Sequence, residues 1–318
     1  MDRERRIGLM LAVTTALLWG TLAIAMKYAT DRVARVDIAW FRFTFAAVLL
    51  GIGIAIKDRK RLVILRRPPK LGLVAAMGLT GNYLGYLAGL HRTTPSNAQI
   101  LIQTAPLMLA LVGIFLFKER LNRQQWIGVA IASVGFLVFA WDQSNGNIVP
   151  SAQYMRGNGF IFIGAVTWVV YAAITKWMTG HGWQPQDLNL LIYTLPALTL
   201  WPMVDFSALS ELSPRMWVLM CFLGANTLVA YGCLGEAFKR LPAYQVSLII
   251  SMNPLITLAS MAILGLWSFD WLPKDRVGPM GYGAAALVVS GIVTVLSRAT
   301  RKAPAPAAHT PAALEPLE

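Results

Sequence analysis

Apolar residues occur along this chain in long runs, each bounded by charge, Gly or Pro. A bilayer core needs about 20 helical residues to cross it, so each run predicts one transmembrane helix. In the first half the runs are Ile7 to Met26, Asp37 to Ile56, Leu71 to Leu90, Pro95 to Phe117 and Trp126 to Trp141. In the second half they are Gly157 to Met178, Asp187 to Phe206, Pro214 to Ala237, Pro242 to Trp267 and Val277 to Ser297, which makes ten spans. Almost everything else is short connection. The N-terminal run, with Arg3, Arg5, Arg6 and Ala23-Ile24-Ala25, has signal-peptide features, but it is too long and nine more follow, so it predicts a retained first helix. Residues 299–318 are rich in Ala and Pro and predict a disordered tail.

The order of polar residues repeats. Ala16-Leu17-Leu18-Trp19 is followed eight residues later by Lys27, and Ala165-Val166-Thr167-Trp168 is followed eight later by Lys176. Asp37 and Thr44 pair with Asp187 and Thr194 at an offset of 150, both Asp residues being placed to cap a helix N-terminus. Gln99, Gln103 and Pro106 pair with Ser247, Ser251 and Pro254 at an offset of 148. Matches in order at near-constant offset argue for duplication, with residues 1–142 as the first unit, 143–156 as a linker and 157–298 as the second unit. Five spans per unit is an odd number, so the second copy enters the membrane from the opposite side. The predicted fold is an all-α integral membrane protein of ten transmembrane helices arranged as two inverted five-helix repeats, an architecture with a site near the midplane.

Composition agrees with lipid as the main solvent. The 318 residues are 56% hydrophobic and 14% charged, against about 25% charged in soluble chains, which excludes a compact soluble enzyme. The net charge of +13 would in a soluble protein suggest nucleic acid. With the N-terminus in the cytoplasm, however, nineteen Lys and Arg fall on the cytoplasmic side and eight on the other, Arg42 lying inside span two. That asymmetry accounts for the charge, places both termini inside and leaves no role for nucleic acid. Cys221 and Cys233, about 18 Å apart on one helix, are too far apart to bridge and imply no metal site.

Each half resembles the five-span repeat of the drug/metabolite transporter superfamily, EamA-type. The resemblance rests on Trp19-Gly20, Phe41-Arg42-Phe43 with Ala46-Ala47, Pro106, Lys118-Glu119-Arg120-Leu121, then Gln124 or Gln125 leading into Gly128 and Gly135. It covers about Ile7 to Ser297, and within the family the chain is most similar to the YddG-type aromatic amino acid exporters. The resemblance implies a ten-span inner-membrane exporter of aromatic and some other neutral amino acids or metabolites; no cofactor is expected, and the expected state is a monomer. The second half departs from the pattern, with Trp267 aligned with Glu119, which points to a one-sided structural role for Glu119.

An amino acid crossing the membrane needs groups for its carboxylate and ammonium and a surface for its side chain. Polar residues at mid depth are the candidates, because unpaired polar groups in hydrocarbon are costly. Gln99 and Gln103 lie one turn apart on span four, and Ser247 and Ser251 on span nine. Pro106 frees the carbonyl of Ile102 and Pro254 that of Ile250, so each span is expected to kink beside its polar stripe and offer an unsatisfied acceptor. Span three adds Asn82, Tyr83 and Tyr86 beside a face of Gly81, Gly85 and Gly89, and span eight adds Asn226 and Tyr231. Trp19 and Trp168, with Tyr171 below the latter, have faces that stack a ring or hold an ammonium, and Gly20 permits a hinge. The alternative for all of these is helix packing.

Lys27 and Lys176 snorkel to headgroups or meet a substrate at alternate gates, and Arg42 is read as reaching the outer interface in a structural role. None of the acids lies at mid depth, so the cavity is expected to be polar and uncharged and export to run down a substrate gradient, Glu236 being the one candidate proton site. Rival readings are efflux of organic cations, transport of sugar or nucleotide derivatives, a membrane enzyme, or a receptor that binds without flux. Buried charges or a nucleophile would mark the first three, and none is visible in the sequence.

Overall fold

The computed structural model describes residues 3–105, 123–146, 151–241, 249–267 and 277–297, with a few isolated positions between them. Pro106, Ser247, the Lys118-Glu119-Arg120-Leu121 stretch and the tail at 299–318 lie outside the described residues. Within them the chain forms twelve α-helices and no strand. The first half contains α1 (Arg3–Thr30), α2 (Arg35–Lys57), α3 (Val63–Arg66), α4 (Lys70–Arg92), α5 (Pro95–Leu101) and α6 (Arg123–Gly146). The second contains α7 (Ser151–Gly180), α8 (Pro185–Leu200), α9 (Phe206–Ser210), α10 (Pro214–Arg240), α11 (Asn253–Gly265) and α12 (Pro279–Ser297).

Among the described residues, five helices, α1, α2, α4, α7 and α10, are long and apolar enough to cross a bilayer. Their side chains are sorted by size. On α1, Gly8, Ala12, Ala16, Gly20 and Ala23 are buried, while Met10, Val13 and Leu17 face outward. Ile56, Leu137 and Leu266 are 79%, 72% and 79% exposed. Water would make such a surface an aggregation liability, whereas lipid is as apolar as leucine and leaves small residues free to bring helix backbones together.

A close backbone approach joins the halves. The expected small-residue face of α4 meets α7, and a Cβ added to Gly85 would stand 2.8 Å from the carbonyl oxygen of Phe160 and 3.0 Å from Gly164 Cα. The two asparagines of spans three and eight act here in parallel. Asn82 Nδ2 on α4 donates to the Gly164 carbonyl of α7 (2.9 Å), and Asn226 Nδ2 on α10 donates to the Leu18 carbonyl of α1 (3.1 Å). Away from this centre, α6 packs on α12 around Phe139, Ala285 and Val288.

Residues 143–146 and 151–156 of the expected linker lie in α6 and α7, and Gly157 packs against Thr93 and Arg92. Several expectations are corrected. The two aspartates are not N-caps, because α2 and α8 start earlier, capped at Ala34 and Gln184. One turn in, Asp37 accepts from the Asp205 N–H (3.1 Å), and Asp187 pairs with Arg61 (2.6 Å). Gly20 does not interrupt α1, and its missing side chain makes room for Ile256.

Spans four and nine are broken rather than kinked. Helix α5 ends at Leu101, Ile102 and Gln103 form a turn, and the Ile102 carbonyl expected to be free accepts from the Ala105 N–H at 3.0 Å. In span nine Ser251 and Met252 form the turn, and Pro254 lies in the first turn of α11, where its missing N–H costs nothing. With its amide nitrogen facing them, Asn253 donates to the carbonyls of Ile250 and Ala16, both at 3.0 Å. Both acceptors released by proline chemistry are thus satisfied locally.

Candidate functional site

A cavity lies between the halves at the level of these breaks. Its volume of about 130 Å³, partly open at the mouth, is below the usual range of small-molecule sites, about 300–1,000 Å³. Trp19, Leu22 and Met26 reach it from α1, Arg42 from α2, Asn82, Tyr83, Tyr86 and Leu87 from α4, and Gln99 from α5. Ile102, Gln103 and Ala105 line it from the break in span four, Trp168 from α7, Tyr231 from α10, and Ile250 and Asn253 from the break in span nine.

The wall is aromatic and tightly braced. The rings of Trp19 and Tyr231 meet edge to face at 5.1 Å, and Phe43 backs Tyr83 at 4.3 Å. Behind this wall Tyr171 and Tyr193 pack edge to face on Tyr231 in one core cluster. Four side chains from three other elements donate to consecutive or neighbouring carbonyls of α1. Asn226 takes that of Leu18, Gln99 that of Trp19 (2.7 Å), Thr257 that of Gly20, and Asn253 that of Ala16. This collar holds Trp19 at a fixed height, and it uses the amide N–H groups of Gln99 and Asn226 for packing.

Of the predicted residues, the cavity gathers Trp19, Asn82, Tyr83, Tyr86, Gln99, Gln103, Trp168 and Tyr231. Three described ones are elsewhere. Tyr171 packs in the core against Trp168 and Tyr231, Asn226 is turned onto α1, and Ser251 is fully buried in the turn before α11 without reaching the cavity. Ser247 lies outside the described residues. Lys27 donates to the His91 carbonyl (2.7 Å) and lies 3.5 Å from Asp31, so it pins the ends of α1 and α4 together; Lys176 is exposed. Glu236 accepts from Gln186 (2.7 Å) and pairs with Arg240, which also holds Glu4 (3.1 Å), at the end of the bundle remote from Lys27.

Arg42 lies inside the bundle rather than at the outer interface expected for it. It is 2% exposed and borders the cavity. Its Nε donates to Thr227 Oγ1 (3.0 Å), Nη1 to Met26 Sδ (2.6 Å) and Nη2 to Tyr83 OH (3.4 Å), and its guanidinium lies 4.7 Å from the Tyr83 ring centroid. No carboxylate pairs with it among the described residues. The cavity is therefore positively charged rather than uncharged. Asn253 was also missed, because it adjoins Pro254 rather than preceding it by a helical turn.

A multispan α-helical protein with a largely aromatic and apolar cavity between two halves, bordered by a buried arginine, belongs to the class of membrane transporters. More narrowly, two matches to the EamA-like transporter family, at residues 6–141 and 155–297, account for most of the sequence, and the chain belongs to that family. It is 34% identical over 294 residues to the uncharacterized inner membrane transporter YhbE of Escherichia coli K12, spanning 92% of this chain and 91% of the relative. A probable amino-acid metabolite efflux pump of the same strain is 23% identical over 310 residues, spanning 92% and 96%. A crystal structure 22% identical in sequence superposes with a TM-score of 0.63 over 94% of this chain and all of the other, a likeness of fold.

Proposed function

We propose that this transporter exports aromatic and other neutral amino acids across the inner membrane. In this reading ten transmembrane helices form two inverted five-helix repeats, both termini are cytoplasmic, and the repeats rock about the cavity to expose it to one side and then the other. The observation that carries the reading is where the cavity lies. Its walls come from both halves, at the two helix breaks and beside the Trp19 and Trp168 pair, so a relative movement of the halves changes access to one shared site. Trp19, Tyr86, Trp168 and Tyr231 provide surface for an apolar or aromatic side chain, with Gln99, Gln103 and Asn82 as polar neighbours. The flexible points are the turns at Ile102–Gln103 and Ser251–Met252, adjoining Pro106 and Pro254, rather than Gly20. The named efflux pump among the relatives agrees in substrate class.

Export follows the substrate gradient. Glu236, the one acid considered for proton coupling, is engaged by Arg240 and Gln186 away from the cavity lining. The test is efflux of labelled phenylalanine, tryptophan and leucine from liposomes containing the purified protein. Saturable efflux above protein-free vesicles is expected, and its absence for all three rejects the substrate class.

A further inference from the structure

We infer that Arg42 is the anchor for a carboxylate on the transported molecule, and that the molecule needs no ammonium group. The cavity then takes small aromatic or apolar monocarboxylates as a class, with amino acids as one case. This rests on the transport reading above and sharpens its substrate.

A guanidinium stays cationic, and burying one without a counter-ion is among the most unfavourable arrangements a protein can hold. Arg42 has only neutral partners, namely a hydroxyl, a thioether and a phenol. It cannot relieve this by snorkelling, since Thr227 of α10 and Tyr83 of α4 enclose it. Of its five N–H donors, the three hydrogen bonds use one on Nε and one on each terminal nitrogen. One N–H therefore remains on each terminal nitrogen, the number a carboxylate takes in a two-pronged contact. Thr227, Met26 and the ring of Tyr83 fix the plane of the fork before any ligand arrives.

The second half of the inference comes from what faces Arg42. The described lining holds no Asp or Glu, so an ammonium entering with the carboxylate meets only neutral oxygens and ring faces. Neutral oxygens and ring faces accommodate an ammonium, but with no anion opposite the guanidinium among the described lining residues they do not require one. Leu22, Leu87, Ile102 and Ile250 together with the aromatic rings read the body of the ligand, and the other polar groups of the wall are the neutral amides of Asn82, Gln99, Gln103 and Asn253.

Three probes with the same ring and chain separate the possibilities: 3-phenylpropanoate, phenylalanine and 2-phenylethylamine. Binding is measured on the purified full chain in detergent, and flux in liposomes. The acid and the amino acid should bind and compete, with the amine at least tenfold weaker. Arg42→Gln should lose at least tenfold in affinity for both carboxylates and Arg42→Lys should lose less. Ligand-free Arg42→Gln should melt no lower than wild type, because it removes an unpaired buried charge; a purely structural Arg42 would make this variant less stable. The inference is overturned if the amine binds as well as the acid, if the acid does not bind, or if Arg42→Gln keeps wild-type affinity. The amine-to-acid comparison uses wild type alone and holds whatever the variants do. Acid binding with no flux of any probe rejects the transport reading and leaves the anchor. Phenylalanine flux unchanged by Arg42→Gln rejects the anchor and leaves transport.

Discussion

Replacing Gly85 with Ala adds one methyl group where two helices meet backbone to backbone. The new Cβ would lie 2.8 Å from the Phe160 carbonyl oxygen and 3.0 Å from Gly164 Cα and N, and none of these atoms is the end of a flexible side chain. Restoring a normal contact of about 3.5 Å moves α4 from α7 by roughly 0.7 Å. That movement also stretches the bond from Asn82 to the Gly164 carbonyl, now 2.9 Å, past useful range. Overpacking costs about 1–3 kcal/mol, and a hydrogen bond between helices in a membrane adds about 0.6 kcal/mol. Against this, Ala is the better helix former by about 0.8–1.0 kcal/mol, so the net loss is about 1–3 kcal/mol. Gly159→Ala, on α7 itself, is the control, since its Cβ would meet nothing within 4 Å and only the propensity gain remains. Reversible SDS denaturation in mixed micelles should place the two variants about 2–4 kcal/mol apart. A Gly85→Ala protein as stable as Gly159→Ala would refute the close packing of α4 on α7.

Gln103→Ala and Trp168→Ala should each lower phenylalanine efflux at unchanged expression, measured as initial rate per liposome-embedded protein; unchanged rates in both would remove the cavity from the transport path. Asn253→Ala leaves the Ile250 carbonyl without its donor and takes a second donor from the Ala16 carbonyl, and should cost about 1–3 kcal/mol, read in the same denaturation assay. A pH gradient imposed across the liposomes should leave wild-type efflux unaltered, because Glu236 is tied to Arg240 and Gln186; a rate that follows the gradient would contradict gradient-driven export. Glu4→Gln removes an exposed partner of Arg240 and should leave the denaturation midpoint almost unchanged, any difference shrinking as salt is raised.

The apolar runs were legible because a bilayer imposes length and composition on each helix separately. The glycine ladder of α4 and the aromatic pair Trp19 and Trp168 could likewise be read from periodicity and offset. Which face of a helix turns to the cavity depends on its neighbours, and here the reading failed in both directions. Asn226 and Tyr171 lie at mid depth but face α1 and the tyrosine core. Arg42 lies only a few residues inside α2, a depth from which a long cation can reach headgroups, yet α10 and α4 enclose it. The positions of the breaks were displaced for a local reason. Proline leaves a carbonyl without its usual donor, and a tight turn at Ile102–Gln103 or the Asn253 side chain satisfies that carbonyl at less cost than a bent helix with an open acceptor.

Alternating exposure of the cavity is the central claim, and thiol accessibility tests it most directly. With Cys221 and Cys233 replaced by Ser and a cysteine introduced by Ile102→Cys, a membrane-impermeant thiol reagent is applied in turn to each face of sealed, oriented vesicles. The account predicts labelling from both faces, slowed from both by 3-phenylpropanoate or phenylalanine. Labelling from one face only, in the presence and absence of these ligands, would contradict it.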